Sequence, residues 1–358
     1  MTKGRFLFLL FFAGLLSLAA CGGESTPGDT STDDGIAKDA CVGCGESYEA
    51  SFVVSKLMIG TINQGFNLDG ENTQCTDNSC ISDGDNGVDN RLSAILDAVN
   101  NATSEDFDAN ASIQENIDKG DMLVVLRLLD VNVTQMASVT SSDGQVELKG
   151  YMGLDTDDPE NPDDNFSKVE PMNVDSRSLN PPGTDIESTL IDFQSCNISA
   201  GKLRCEPSLF TLDLEVSGNP LSLRIEQTQI VAVINQSPTL DPTSGAYLNG
   251  SIIQGIIGGY VPVSYLQEAL KEFADQLGDI SPATIQQILV EHADIDATPA
   301  GSTGVACPNG NSDCLPWQTC RSGICEEPAD QPDAISLAVT FEAVSVEFTG
   351  NIIVPPEE

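Results

Sequence analysis

The chain has 358 residues, 15 Lys plus Arg against 55 Asp plus Glu, a formal charge of −40, one His and 11 Cys. That length suits one large domain or two modest ones with a real hydrophobic core. The negative field repels phosphates and argues against nucleic acid as a partner. A single histidine, His292, argues against Ser-His-Asp, Cys-His and multi-His zinc chemistry.

Lys3 and Arg5 precede Phe6–Ala20, fifteen uncharged residues rich in Phe and Leu. A membrane-spanning helix needs about 20 such residues, whereas the apolar core of an export signal is this short. The stretch ends in Leu18-Ala19-Ala20-Cys21, the pattern of a bacterial lipoprotein lipobox. Small residues there fit a membrane peptidase, and the Cys21 thiol is the nucleophile that takes a diacylglycerol. Residues 1–20 are therefore read as a signal peptide and 21–39, small, polar and acidic, as a disordered tether. Each buried acyl CH₂ contributes about 0.8 kcal/mol, so two or three chains anchor firmly. The expected partner is a lipid bilayer reached through acylated Cys21. The expected place is the bacterial cell envelope, at its outer membrane.

Residues 40–90 read as Cys-, Asp-, Asn- and Gly-rich loop with one apolar burst, Ser51–Ile62. Cys41 and Cys44 form a CxxC whose redox and zinc readings both yield to a structural disulfide in an oxidising compartment. Cys75 and Cys80 close a small loop. Asp83, Asp85, Asp89 and Asn90, with Gly84 and Gly87 between them, place oxygen ligands at short spacing, as calcium loops do. No Glu stands at the twelfth position, so an EF-hand is not met. The same residues equally make turns and a helix cap.

From residue 91 to 118 the apolar spacing is helical, with a break at Asn100-Asn101. Met122–Val133 reads as a buried strand, and Gln145–Met152 alternates less cleanly. Cys196 and Cys205 bracket Ala200-Gly201, a turn between two candidate strands, and are expected to bridge that hairpin. Leu209–Val216 and Leu221–Ile225 read as a further hairpin, Gln229–Ile234 as the next strand, and Tyr247–Val261 as a Gly-punctuated strand pair. One helix starts near Pro262 and ends at Gly278, and a second follows Ser281-Pro282. His292 falls at the end of that second helix, where a positive ring suits the helix C-terminus or the side chain simply lies on the surface, and neither reading makes it catalytic.

Cys307, Cys314, Cys320 and Cys325 sit in a segment with too little apolar content for its own core, so two bridges must hold it, in one of three connectivities. Trp317 lies inside it, either covering the disulfides or meeting a partner. Ile335–Phe348 then alternates and closes the sheet. The expected fold is mainly β (α+β), an antiparallel sheet or sandwich with helices packed at one side. Residues 40–306 are its body with two helical segments, 307–325 a Cys-rich insert and 326–358 the completing strands.

The run Asp83–Ser93, with Gly87-Val88-Asp89-Asn90 just before a helix, resembles a motif of uncharacterised lipoproteins of myxobacteria and neighbouring delta-proteobacteria. Asp121–Asp130, Gly201–Pro207, Leu221–Ile225 and Gly250–Pro262 extend the likeness over about residues 75–265. It implies an envelope location and a β-rich domain, and no known activity.

No Gly-rich phosphate loop, HExxH or GxSxG appears, and no residue is nominated as catalytic. The leading expectation is a non-enzymatic binding or structural module for a protein or carbohydrate ligand, with calcium as the one cofactor the spacing admits. A carboxylate-based hydrolase such as a glycosidase is the alternative, although one Trp and five Tyr offer few sugar platforms. A self-assembling envelope component is the other.

Overall fold

The computed structural model describes residues 47–76, 81–102, 108–132, 142–155, 166, 170–183, 185–216, 219–235, 239–240, 247–248, 251–267, 281–297, 301–314, 318–327 and 332–354. The expected signal peptide, lipobox and tether, with Cys21, and also Cys41, Cys44, Cys80 and Trp317, lie outside the described residues.

Among the described residues, fifteen strands and three α-helices of stated bounds follow in chain order, besides the helical residues 263–267. Strand β1 is Ser47–Ile59; helices α1 and α2 are Leu92–Ala102 and Ala109–Asp118. Then come β2 Val124–Asn132, β3 Ser142–Leu154, β4 Pro171–Asp175, β5 Ile191–Ser199, β6 Lys202–Val216 and β7 Asn219–Asn235. Short β8 Thr239–Leu240 and β9 Tyr247–Leu248 precede β10 Ser251–Pro262 and helix α3 Pro282–His292. The chain closes with β11 Gly301–Ala306, β12 Thr319–Arg321, β13 Ile324–Glu327, β14 Ala334–Ser345 and β15 Glu347–Ile353.

Eight of these strands pair in the ring β1-β2-β3-β5-β6-β7-β10-β14 and back to β1, every pair antiparallel. The sheet is thus a closed eight-stranded barrel, and the expected sandwich is corrected. The pairing of β3 with both β2 and β5 makes the closure, so the ring encloses its main core by itself. Alternation puts one face of each strand inward: Phe52, Leu126, Leu148, Phe193, Phe210, Ile225, Ile257 and Phe341 are all buried in one core. At Gly255 a Cβ would fall 2.1 Å from the Phe341 ring, so only glycine lets that ring fill the lumen. Outward positions Lys56, Asp130, Gln194, Lys202, Arg204 and Glu342 are exposed. A membrane-spanning barrel has the reverse arrangement, an apolar belt outside.

Because strand direction alternates round the ring, the β1–β2 and β10–β14 connections leave the same end, and both carry helices. Helix α2 packs on both β1 and β6, which stand opposite each other, and its buried Ile113 and Ile117 join the barrel core. Asp108 caps it, accepting from Ala111 N at 3.1 Å, and Ser281 likewise caps α3. Residues 263–267 are helical, as expected after Pro262. The helical break falls after Ala102 instead of at Asn100-Asn101.

Four further expectations change. The apolar burst in the supposed 40–90 loop is β1, a wall strand paired on both edges. Leu221–Ile225 and Gln229–Ile234 are parts of one strand, β7. The stretch to Val261 is one long strand, β10, preceded by two-residue β9. Finally, Ile335–Phe348 divides at Val346, where the chain leaves the ring as β15 to pair in parallel with β4. Strands β4 and β15 cover a second core outside the wall, around Val53, Val125, Tyr151 and Met172. Arg127 fastens this layer, pairing with Glu49 at 2.8 Å and Glu187 at 3.0 Å and lying 4.9 Å from the Phe348 ring centroid.

Cys196 and Cys205 are directly opposed on β5 and β6 and bridged, as expected. Replacing both by Ser is expected to cost about 2–3 kcal/mol, from loop-closure entropy, and to lower the thermal midpoint by several degrees. An unchanged midpoint in a thermal melt would show that the β5–β6 ladder holds the hairpin by itself. The insert's connectivity is Cys307–Cys320 and Cys314–Cys325, around the three-stranded sheet β11-β13-β12. Cys75 is also disulfide-bonded.

Candidate functional site

Asp89, Asn90 and Arg91 lead into α1, and each ties a different segment to the barrel end. Asp89, 2% exposed, takes the Leu68 N–H on Oδ2 at 2.6 Å, while its own N–H donates to the Phe66 carbonyl at 2.8 Å. Asn90, 1% exposed, mimics a strand residue: Oδ1 accepts from Ala338 N at 3.1 Å on β14, and Nδ2 donates to the carbonyls of Gln64 at 2.8 Å and Thr61 at 3.1 Å. The Arg91 backbone N–H donates to the Ser336 carbonyl at 3.0 Å, and its guanidinium donates to His292 Nδ1 at 3.3 Å. His292 is therefore held neutral; burial, then the Arg91 charge, pushes its pKa down.

On the far side of this knot, Asp294 follows α3. Its carboxylate accepts from Ser336 N at 2.8 Å and from the Ser336 hydroxyl. Burial raises its pKa to about 6, against the lowering by Ser336 and Arg91. Asp89 is raised to about 7, by burial first and then by the negative charges of Asp69, Asp294 and Asp83. The Leu68 N–H opposes that shift.

These anchors shape the walls of a cleft of about 690 Å³ on the outer face of the barrel. Among the described residues, Leu68, Asp69 and Glu71 line it from the segment after β1, Asp294–Ala297 from the segment after α3, and Pro207, Gln227, Gln229 and Tyr260 from the barrel strands that form its floor. The floor is where the ladder breaks. The β6–β7 register shifts on both sides of Ser208, and the β7–β10 register shifts between Gly258 and Tyr260. Such bulges bend strands and re-aim side chains. Gln227 adopts φ 49, and a Cβ on Gly259 would come within 2.4 Å of the Glu226 carbonyl, so the two strands approach through glycine. Among the described lining residues none is basic, four are acidic, and Leu68, Pro207, Ile295 and Pro332 add apolar surface.

The four residues nominated for calcium share one loop but have separate tasks. Asp83 Oδ2 accepts from Thr73 N, and the Asp85 N–H donates to Asn63 Oδ1 at 2.9 Å. Asp89 and Asn90 hold the 61–68 segment and β14. Among the described residues, three His, Cys, Asp or Glu ligand atoms lie within 4.8 Å of one another only in the group Cys307, Cys314 and Cys325. As thiolates those three could hold a metal; here each belongs to a disulfide. Sequence reading pointed to Asp89 and Asn90 but missed the cleft's Glu71, Gln227, Gln229, Tyr260, Asp294 and Asp296. They come from separate segments and share no local pattern. The chain matches no family model, no curated protein and no solved structure.

Proposed function

We propose that the chain is a lipid-anchored lipoprotein of the bacterial cell envelope whose barrel is a non-enzymatic binding module, with the outer-wall cleft as its binding face. The observation that carries this reading is the placement of the cleft. The barrel core is packed with side chains such as Phe52, Phe193 and Phe341, whereas the bulged outer wall is open. A disulfide-bonded, polar-walled barrel is consistent with a place outside the cytoplasm. The lipobox and the acidic tether supply the attachment, and the Gly-Val-Asp-Asn resemblance favours the same location. That motif also supplies the residues that position a cleft wall. Among its described residues the cleft has a single aromatic, Tyr260, and their most buried acid, Asp294, is bonded to Ser336, which favours binding over carboxylate hydrolysis.

The anchor is tested by metabolic labelling with an alkyne fatty acid in a bacterial host. Wild-type chain is expected to carry the label and partition with membranes. Cys21→Ala should carry none and appear in the soluble fraction. An unlabelled wild type would sink the anchor.

A further inference from the structure

We propose that Lys149 and Asp192 condense into an amide, an internal cross-link that closes the barrel ring covalently at its β3–β5 seam.

The two residues are direct partners on neighbouring antiparallel strands. The same ladder pairs Leu148 with Phe193 in the core, so alternation turns Lys149 and Asp192 side by side to the outer face. Lys149 Nζ stands 3.5 Å from Asp192 Oδ2 and therefore close to the carbon that carries it. Groups held in near-attack geometry reach effective molarities of about 10⁵–10⁸ M, well above the concentration of the water that opposes condensation.

Three features separate this pair from a surface salt bridge. Lys149 is buried, its side chain 7% exposed, whereas the ion-paired Lys56 and Lys119 are 48% and 56% exposed. A buried ion pair bears a desolvation penalty on both charges, and a neutral amide removes it. Secondly, Asp192 Oδ2 accepts from Gln194 Nε2 at 3.2 Å, while Oδ1 is buried with no hydrogen-bond partner among the described residues. An orphaned buried acceptor is unfavourable, and condensation removes one carboxyl oxygen. Thirdly, a proton carrier stands beside the amine. Nζ donates to the Glu187 carbonyl at 3.1 Å, and Glu187 Oε2 lies 3.9 Å from it. The other Glu187 oxygen is held by Arg127 at 3.0 Å, and the half-exposed carboxylate leaves a way out for water.

The atoms balance without an oxidant or a cofactor. Glu187 takes one proton from the Lys149 ammonium, and the freed amine attacks Asp192 Cγ, forming a C–N bond. The proton on Glu187 and a second from the attacking nitrogen pass to one carboxyl oxygen, whose bond to Cγ breaks as water leaves. One ammonium and one carboxylate become one neutral amide. The β3–β5 pairing joins the ring, so the amide holds the closure even when the hydrogen bonds of the seam open.

The test is peptide mapping by mass spectrometry of the full chain, purified folded in detergent, then denatured, reduced and digested with trypsin. The peptides that carry Lys149 and Asp192 are expected to emerge as one branched species, lighter than their sum by one water, about 18 Da, and uncleaved after Lys149. Fragmentation should place the branch at Asp192. Lys149→Arg keeps the positive charge, should give linear peptides only, and should melt several degrees lower. Glu187→Gln should lower the yield of branched peptide about tenfold or more. Circular dichroism establishes that both variants are folded. Linear peptides alone from the wild-type chain, even after prolonged incubation of the folded protein, would overturn the cross-link. A branch at Glu187, which shares a tryptic peptide with Asp192, would overturn the pairing. Wild-type yield from Glu187→Gln would remove Glu187 as the proton carrier.

Discussion

Asn90→Ala is expected to destabilise the barrel by about 2 kcal/mol or more, because it orphans the buried Ala338 N–H and takes the amide donor from the Gln64 carbonyl, while the Thr61 carbonyl keeps the Gln64 N–H. Each unsatisfied buried group costs roughly 1–3 kcal/mol. Asn90→Asp should be worse, although it is nearly isosteric. The carboxylate can still accept from Ala338, but it turns a second oxygen toward two carbonyls in a site where the side chain is 1% exposed. For a domain of this size each kcal/mol moves the thermal midpoint by about 2–4 °C. Melts of the two variants should therefore rank wild type, Asn90→Ala and Asn90→Asp in descending order. If Asn90→Asp matched or exceeded wild type on adding Ca²⁺, the loop would be a metal site in which a new carboxylate is welcome.

The second large effect is on pH dependence. Folded Asp89 keeps its proton up to about pH 7, whereas in the unfolded chain it titrates near 3.8, and Asp294 behaves alike with a folded value of about 6. Between these limits the folded state binds more protons, so stability is greatest at the acid end of the window and falls as pH rises through 6 and 7. Each group can contribute a slope of up to about 1.4 kcal/mol per pH unit. Acidification also relieves general repulsion in a chain of charge −40, so the variant isolates the effect. Asp89→Asn keeps an acceptor for the Leu68 N–H and removes the charge. It should be more stable than wild type at about pH 8, with the difference vanishing or reversing near pH 5. Denaturant titrations at several pH values check this, and a wild type that gains stability from about pH 5 to 8 would contradict the burial of Asp89 as a shared negative charge.

The two predictions concern neighbouring residues that sequence reading had already singled out, for a different reason. Acidic and amide oxygens near glycines look the same whether they face a cation or backbone N–H groups. What distinguishes the cases is the partner, and for Asn90 the partner is Ala338, 248 residues away. Turn-and-cap chemistry was the favoured expectation for this loop, and its cap is corrected: the Asp89 and Asn90 side chains take the N–H groups of Leu68 and Ala338 instead of the first turn of α1. The loop thereby fastens a helix start to a barrel strand.

Local periodicity determined much of the rest. Alternation found the strands around Met122–Val133, Leu209–Val216 and Ile335–Phe348, since a strand with one buried face repeats every two residues whatever it pairs with. Capping chemistry found the start of α3 at Ser281-Pro282. Close cysteine spacing found the Cys196–Cys205 bridge, because a hairpin brings near neighbours opposite each other. The proposed lipobox, Leu18-Ala19-Ala20-Cys21, rests on the sequence by itself and needs no fold to be read. Tertiary structure alone decided whether the sheet closes. One inward face per strand satisfies a sandwich or a barrel equally, and only the β3–β5 pairing joins the ring. It alone also decided the cleft, whose walls and floor come from loops after β1 and α3 and bulges in β6, β7 and β10. A bulge shifts register by one residue without leaving a mark in composition, and a carboxylate's neighbours across a wall are set by pairing, which no local window of sequence contains.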